Sequence, residues 1–134
     1  MPVPESVVAS VVQDTSERMR DPEFTQLTVG HFVESQPELA RYLSARAGRI
    51  GGAQGVLEAA FHAERLSECL HRHAGKPPRV VDLRTLDRAS KGDPVAAFTE
   101  REPALASYVA SNVDGEPLRR EICRLALALA LTLG

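Results

Sequence analysis

Apolar residues recur along most of this chain three and four positions apart, the spacing of one face of an α-helix. Val7, Val8, Val11, Val12 and Met19 form such a stripe between Pro4 and Arg20, predicting a first amphipathic helix despite its β-branched residues. Asp21-Pro22 reads as an N-cap and first helical residue, opening a second helix marked by Phe24, Leu27 and Phe32 and weakened by Gly30. Ser35-Gln36-Pro37-Glu38 has the spacing of a capping box. It predicts a third helix with Leu39, Tyr42, Leu43 and Ala47 on its inner face and Gly48 as a left-handed C-terminal cap. A glycine-rich joint, Gly48 to Gly55, leads into the longest pattern, Ala53 to His73. At ~1.5 Å per residue this helix is ~31 Å long, enough to form a central strut.

Gly75-Lys76-Pro77-Pro78 breaks the helical pattern most sharply, because two prolines forbid a helix and favour an extended passage to Val80. Leu83, Leu86 and Ala89 then predict a short helix closed near Gly92, and Asp93-Pro94 repeats the start signal of Asp21-Pro22 ahead of Val95 and Phe98. Pro103 to Ser111 forms another helix, Asn112 to Gly115 a turn, and Pro117 to Leu133 the last helix. In that last segment Leu125, Leu127, Leu129, Leu131 and Leu133 are separated by single small residues, which places leucines on opposite sides of a helix. A helix apolar all round is buried all round, either in this chain's own core or in a subunit interface.

The pattern also repeats. Residues 32–44 align without a gap on residues 98–110 and match at Phe32/Phe98, Glu34/Glu100, Pro37/Pro103, Leu39/Leu105, Ala40/Ala106 and Tyr42/Tyr108. Each segment follows an Asp-Pro signal and precedes a turn and a long apolar helix. The expected fold is therefore all-α: a single domain over 1–134, a compact bundle of about seven or eight helices built as two tandem, structurally similar halves. The first half would cover about 1–75 and the second about 79–134, joined by Gly75–Pro78. Two units are too few for an open solenoid, hence the compact arrangement.

Composition agrees with a soluble globular chain: 43% of residues are apolar, 25% charged, and the formal charge is −2. The near balance of charge gives no general reason to expect a nucleic-acid or anionic-membrane partner. Cys69 and Cys123 are too few for a disulfide framework and suit buried thiols in a reducing compartment, so the cytoplasm is expected. Met1 to Asp14 does not read as a secretory signal, and Ile122 to Leu133 is too short and too charged at Arg124 for a membrane span. Fourteen arginines against two lysines suggest a GC-rich bacterial coding bias.

No residue set commands a reaction. His62, Cys69 and His73 share one stripe of the long helix, but His62 lies ~10 Å along the axis from Cys69, too far for one ion. Glu68-Cys69-Leu70-His71 is a single Glu-x-x-His spacing where a di-iron bundle needs two. The matched Glu34 and Glu100 read as solvated residues at helix ends, and the matched Tyr42 and Tyr108 as half-buried packing residues or as the walls of a groove. The glycines between Gly48 and Gly55 lack the Gly-Lys-Ser/Thr of a phosphate loop, although helix-start amides beside Arg49 could hold an anion. Leu39-Ala40 and Leu105-Ala106, the latter followed by Arg119, Arg120 and Arg124, give a weak helix-turn-helix cue.

The expected function is accordingly a non-enzymatic accessory or scaffold protein acting through helix-mediated protein contacts, with a homodimer as one form. No catalytic, cofactor-binding or metal residues are assigned, and neither nucleic acid nor membrane is expected as a partner. The alternatives are a small-molecule or metal-binding protein using a cleft between the halves, and helix-turn-helix-like DNA binding.

Overall fold

Eight helices follow one another in the computed structural model of residues Met1–Gly134: α1 (Glu5–Arg18), α2 (Phe24–Ser35), α3 (Pro37–Ala45), α4 (Gly52–Ala74), α5 (Leu83–Ala89), α6 (Pro94–Arg101), α7 (Pro103–Asn112) and α8 (Glu116–Leu131). A 3-10 turn, Ala47–Arg49, joins α3 to α4. There are no strands, and no helix is long and apolar enough to cross a membrane.

The leucine-rich helix is the axis of the bundle. Leu125, Ala126, Leu127, Ala128 and Leu129 are all buried, because α4, α5, α6 and α7 pack around α8. Leu125, Leu127 and Leu129 are thus core of this chain, while Leu131 and Leu133 are half-buried against it. α4, predicted within a residue at either end, runs against α8 and also carries α1, α2 and α3.

The two matched segments build matching corners. Phe32 and Phe98, Leu39 and Leu105, and Leu43 and Val109 are all buried. Between the helices, Gln36 (φ −134°, ψ 65°) and Glu102 (φ −135°, ψ 72°) adopt the same backbone conformation, and both side chains are buried. Each of those side chains holds an extended segment that precedes a helix of the other part of the chain. The Val81 amide donates to Gln36 Oε1 at 2.9 Å, while Gln36 Nε2 donates to the Arg79 carbonyl at 2.9 Å. Likewise the Val3 amide donates to Glu102 Oε1 at 2.8 Å. Val3 and Val81 are themselves buried, so the clasps seat apolar side chains as well as pairing amides.

The element pairs recur too: α2 packs on α3 and α4, and α6 on α7 and α8. The leading helices differ, however, α1 having 14 residues and α5 only seven.

Several local signals resolve differently from the sequence expectation. Ser35 and Glu38 form no capping box: Ser35 is the last residue of α2, its hydroxyl donating to the Phe32 carbonyl, and Gln36 occupies the N-cap without a side-chain cap bond. Asp21-Pro22 makes a turn ahead of α2, with Asp21 accepting from the Glu23 amide, and the helix itself begins at Phe24. Gly48 lies in the 3-10 turn, and the positive-φ glycines of this joint are Gly51 (φ 98°), the N-cap of α4, and Gly52 (φ 72°), its first residue. Asp93 does cap α6 as expected, accepting from the Val95 and Ala96 amides.

At Gly55 the constraint is space. A Cβ there would lie 1.7 Å from the Ile50 carbonyl oxygen, so only glycine lets the first turn of α4 fold against the joint. Gly55→Ala should destabilise the protein by about 1–3 kcal/mol in urea unfolding. Gln36→Ala, which strands a buried amide at Val81, should cost a comparable ~1–3 kcal/mol, checked by the same measurement.

Candidate functional site

The side chains singled out on α4 do not gather. His62 Nδ1 is hydrogen-bonded to the Tyr108 hydroxyl at 2.8 Å, Cys69 is buried in the core, and His73 is exposed with Nε2 near the Met1 carbonyl at 3.3 Å. No three His, Cys, Asp or Glu side chains come together as a metal-holding group. Burial pushes the Cys69 thiol up to about 12 and the Cys123 thiol up to about 11, so both stay protonated and unreactive at neutral pH.

The two matched tyrosines diverge. Tyr108, whose hydroxyl burial pushes up to about 12, lines a mostly apolar recess of about 280 Å³ between α1 and α7. Tyr42 instead stands in the wall of an open cleft of about 530 Å³. Tyr42, Arg46, Arg49 and Ile50 line it from one side of the Gly75–Pro78 link, and Ser90, Glu116, Pro117, Arg120, Glu121 and Arg124 from the other. Ser90 ends the short α5; with only seven residues that helix stops at the rim of the cleft.

The inner wall is a hydrogen-bonded set. The Tyr42 hydroxyl donates to Glu121 Oε1 at 2.7 Å and accepts from Arg124 Nη1 at 2.6 Å, while Arg124 is also ion-paired with Glu121. Burial first, and then the Glu121 carboxylate, push the Tyr42 hydroxyl above its ordinary range, so it remains a donor. Arg46 lies over the Tyr42 ring at 4.3 Å from its centroid, with its Nε 3.9 Å from Glu121. The arrangement fixes two guanidinium planes on one aromatic ring, a geometry available to arginine and not to lysine. Arg124 Nε is buried with no partner.

Arg49 and Arg120 complete the cationic lining, Arg120 reaching only a distant contact with Asp93 at 3.9 Å. Four arginines thus face Glu116 and Glu121 within the cleft and Asp93 at its edge, leaving one positive charge in excess. Arg119, by contrast, is used structurally: it donates to the Val113 and Ala110 carbonyls at the end of α7. The arginines of the helix-turn-helix cue therefore turn towards this cleft or cap a helix.

A second cavity of about 460 Å³ adjoins the first. Arg49, Ile50 and Pro117 belong to both, and Gly51, Gln54, Gly55, Glu58, Asn112, Asp114, Gly115 and Leu118 complete the second. The sequence reading had Arg49 and the Gly48–Gly55 joint beside an anion, but missed Arg46 and Glu121 altogether. The available signal was spacing for one pair only: Arg120 and Arg124, four apart on α8, share a helical face, whereas Arg46 and Arg49 lie in the turn between α3 and α4. No protein-family model, curated protein or solved structure matches this chain.

His62 offers a test of its pairing with Tyr108. Burial holds its imidazole below the ordinary value of 6.5 in the folded protein. Below that value the unfolded chain takes up a proton that the folded chain resists, so stability falls as the pH drops through and below about 6.5. His62→Gln should remove that part of the loss, seen as a shallower fall of unfolding free energy between neutral and mildly acidic pH than in the parent protein.

Proposed function

We propose that this protein binds a small organic anion in the cleft between α3 and α8. The observation that carries the reading is the convergence of Arg46, Arg49, Arg120 and Arg124 around Tyr42, which outnumber the carboxylates of Glu116, Glu121 and the bordering Asp93. Guanidinium groups in a partly desolvated recess form charge-assisted hydrogen bonds to carboxylate or phosphate oxygens, roughly twice as strong as neutral ones. The cleft volume is within the ~300–1,000 Å³ of ordinary small-molecule sites.

Two of the arginines are held in place before any ligand arrives, Arg124 by Glu121 and Tyr42, and Arg46 by the Tyr42 ring. Such preorganisation lowers the entropy lost on binding. Ligand binding rather than turnover is the role these contacts support. The expectation of a scaffolding role rests on the absence of a catalytic set beside abundant apolar helical surface; of that surface, Leu125 to Ala130 are enclosed by their own chain.

Inorganic phosphate is a sufficient first probe. In a titration at low salt, the Arg124 Nε–H resonance should shift saturably, and binding should weaken as ionic strength rises. Arg49→Ala and Arg120→Ala, whose side chains hold no core contact, should each weaken binding about tenfold. An arginine spectrum unmoved by phosphate at low salt would refute the reading.

A further inference from the structure

We infer that the two adjoining cavities form one bipartite site whose ligand is a sugar phosphate. The inference rests on the anion-binding reading and names the chemical class that both cavities fit. The first cavity carries a net positive charge on its four arginines, which attracts a phosphate monoester, whose charge is ≈ −1.5 to −2 at neutral pH.

The second cavity has the opposite character. Its polar side chains are Gln54, Glu58, Asn112 and Asp114, with Arg49 only at the shared boundary. Glu58 and Asp114 repel a second anionic group, which orients the ligand with its charge on the Arg46–Arg124 side. Carboxylates accept from hydroxyls, and the amides of Gln54 and Asn112 both donate and accept, the pairing that a polyhydroxylated ring requires. Arg49, Ile50 and Pro117 form the sill between the cavities, so a ligand spanning it has its phosphate at one end and its hydroxyls at the other.

The full-length chain should be titrated calorimetrically with glucose-6-phosphate, inorganic phosphate, glucose and phosphoethanolamine. Glucose-6-phosphate should bind about tenfold more tightly than inorganic phosphate, as expected for added hydrogen bonds in the second cavity. The double variant Glu58→Ala/Asp114→Ala should abolish the roughly tenfold preference for glucose-6-phosphate over inorganic phosphate. Both side chains are exposed and outside the core, and an unchanged circular dichroism melt confirms that the variant folds. Equal affinity for glucose-6-phosphate and inorganic phosphate, or tighter binding of phosphoethanolamine, overturns the bipartite assignment and leaves anion binding standing. Binding of none of the phosphate compounds overturns both.

Discussion

A helix that is apolar on every side must be enclosed on every side, and α8 imposes that condition on the rest of the chain. From Leu125 to Ala130 every residue is buried, so four other helices are drawn around it. Its first turns cannot be enclosed in the same way, because Glu116, Arg119, Arg120, Glu121 and Arg124 are all charged. The surrounding helices part at that point, and the recess they leave is the arginine-lined cleft. The boundary between packing and chemistry thus runs lengthwise along the first turns of one helix, with Leu118, Ile122 and Cys123 on the buried side and Arg120 and Arg124 facing the cleft.

A single corner serves two ends in this molecule. Tyr42 and Tyr108 occupy equivalent places in matched segments, yet one meets Glu121 and Arg124 and the other His62. A carboxylate and a guanidinium keep the surroundings of Tyr42 polar, whereas the half-buried imidazole beside Tyr108 has its proton affinity lowered by desolvation. Helix length reinforces the difference, since α1 is twice as long as α5 and lies against α7. Different partners thus set one tyrosine beside an apolar recess and the other in the wall of the arginine-lined cleft.

Helical class, the long α4, the Gly75–Pro78 break and the Asp93 cap were legible in the sequence because each depends on neighbours within a turn or two. The Ser35/Glu38 box and the Gly48 cap were misread for a different reason. Proline at position 37 starts α3 one residue after α2 ends, so no separate N-terminal turn exists for Ser35 to cap. Most of the cleft was illegible, since Arg46 and Glu121 are 75 positions apart and only folding brings them to 3.9 Å. Gln36 and Glu102 were likewise read as part of a helix corner with no hint of their burial. Which polar residue ends up inside depends on a distant backbone amide that needs a partner.

That last pairing governs how the molecule comes apart. Gln36 grips the segment leading into α5, and Glu102 grips the one leading into α1, so each portion of the chain finishes the other. Neither can complete its own hydrogen bonding alone, and loosening one exposes a buried amide in its neighbour. The Gly75–Pro78 passage therefore divides the polypeptide in sequence without dividing it in energy: the fore and aft portions melt as one cooperative unit.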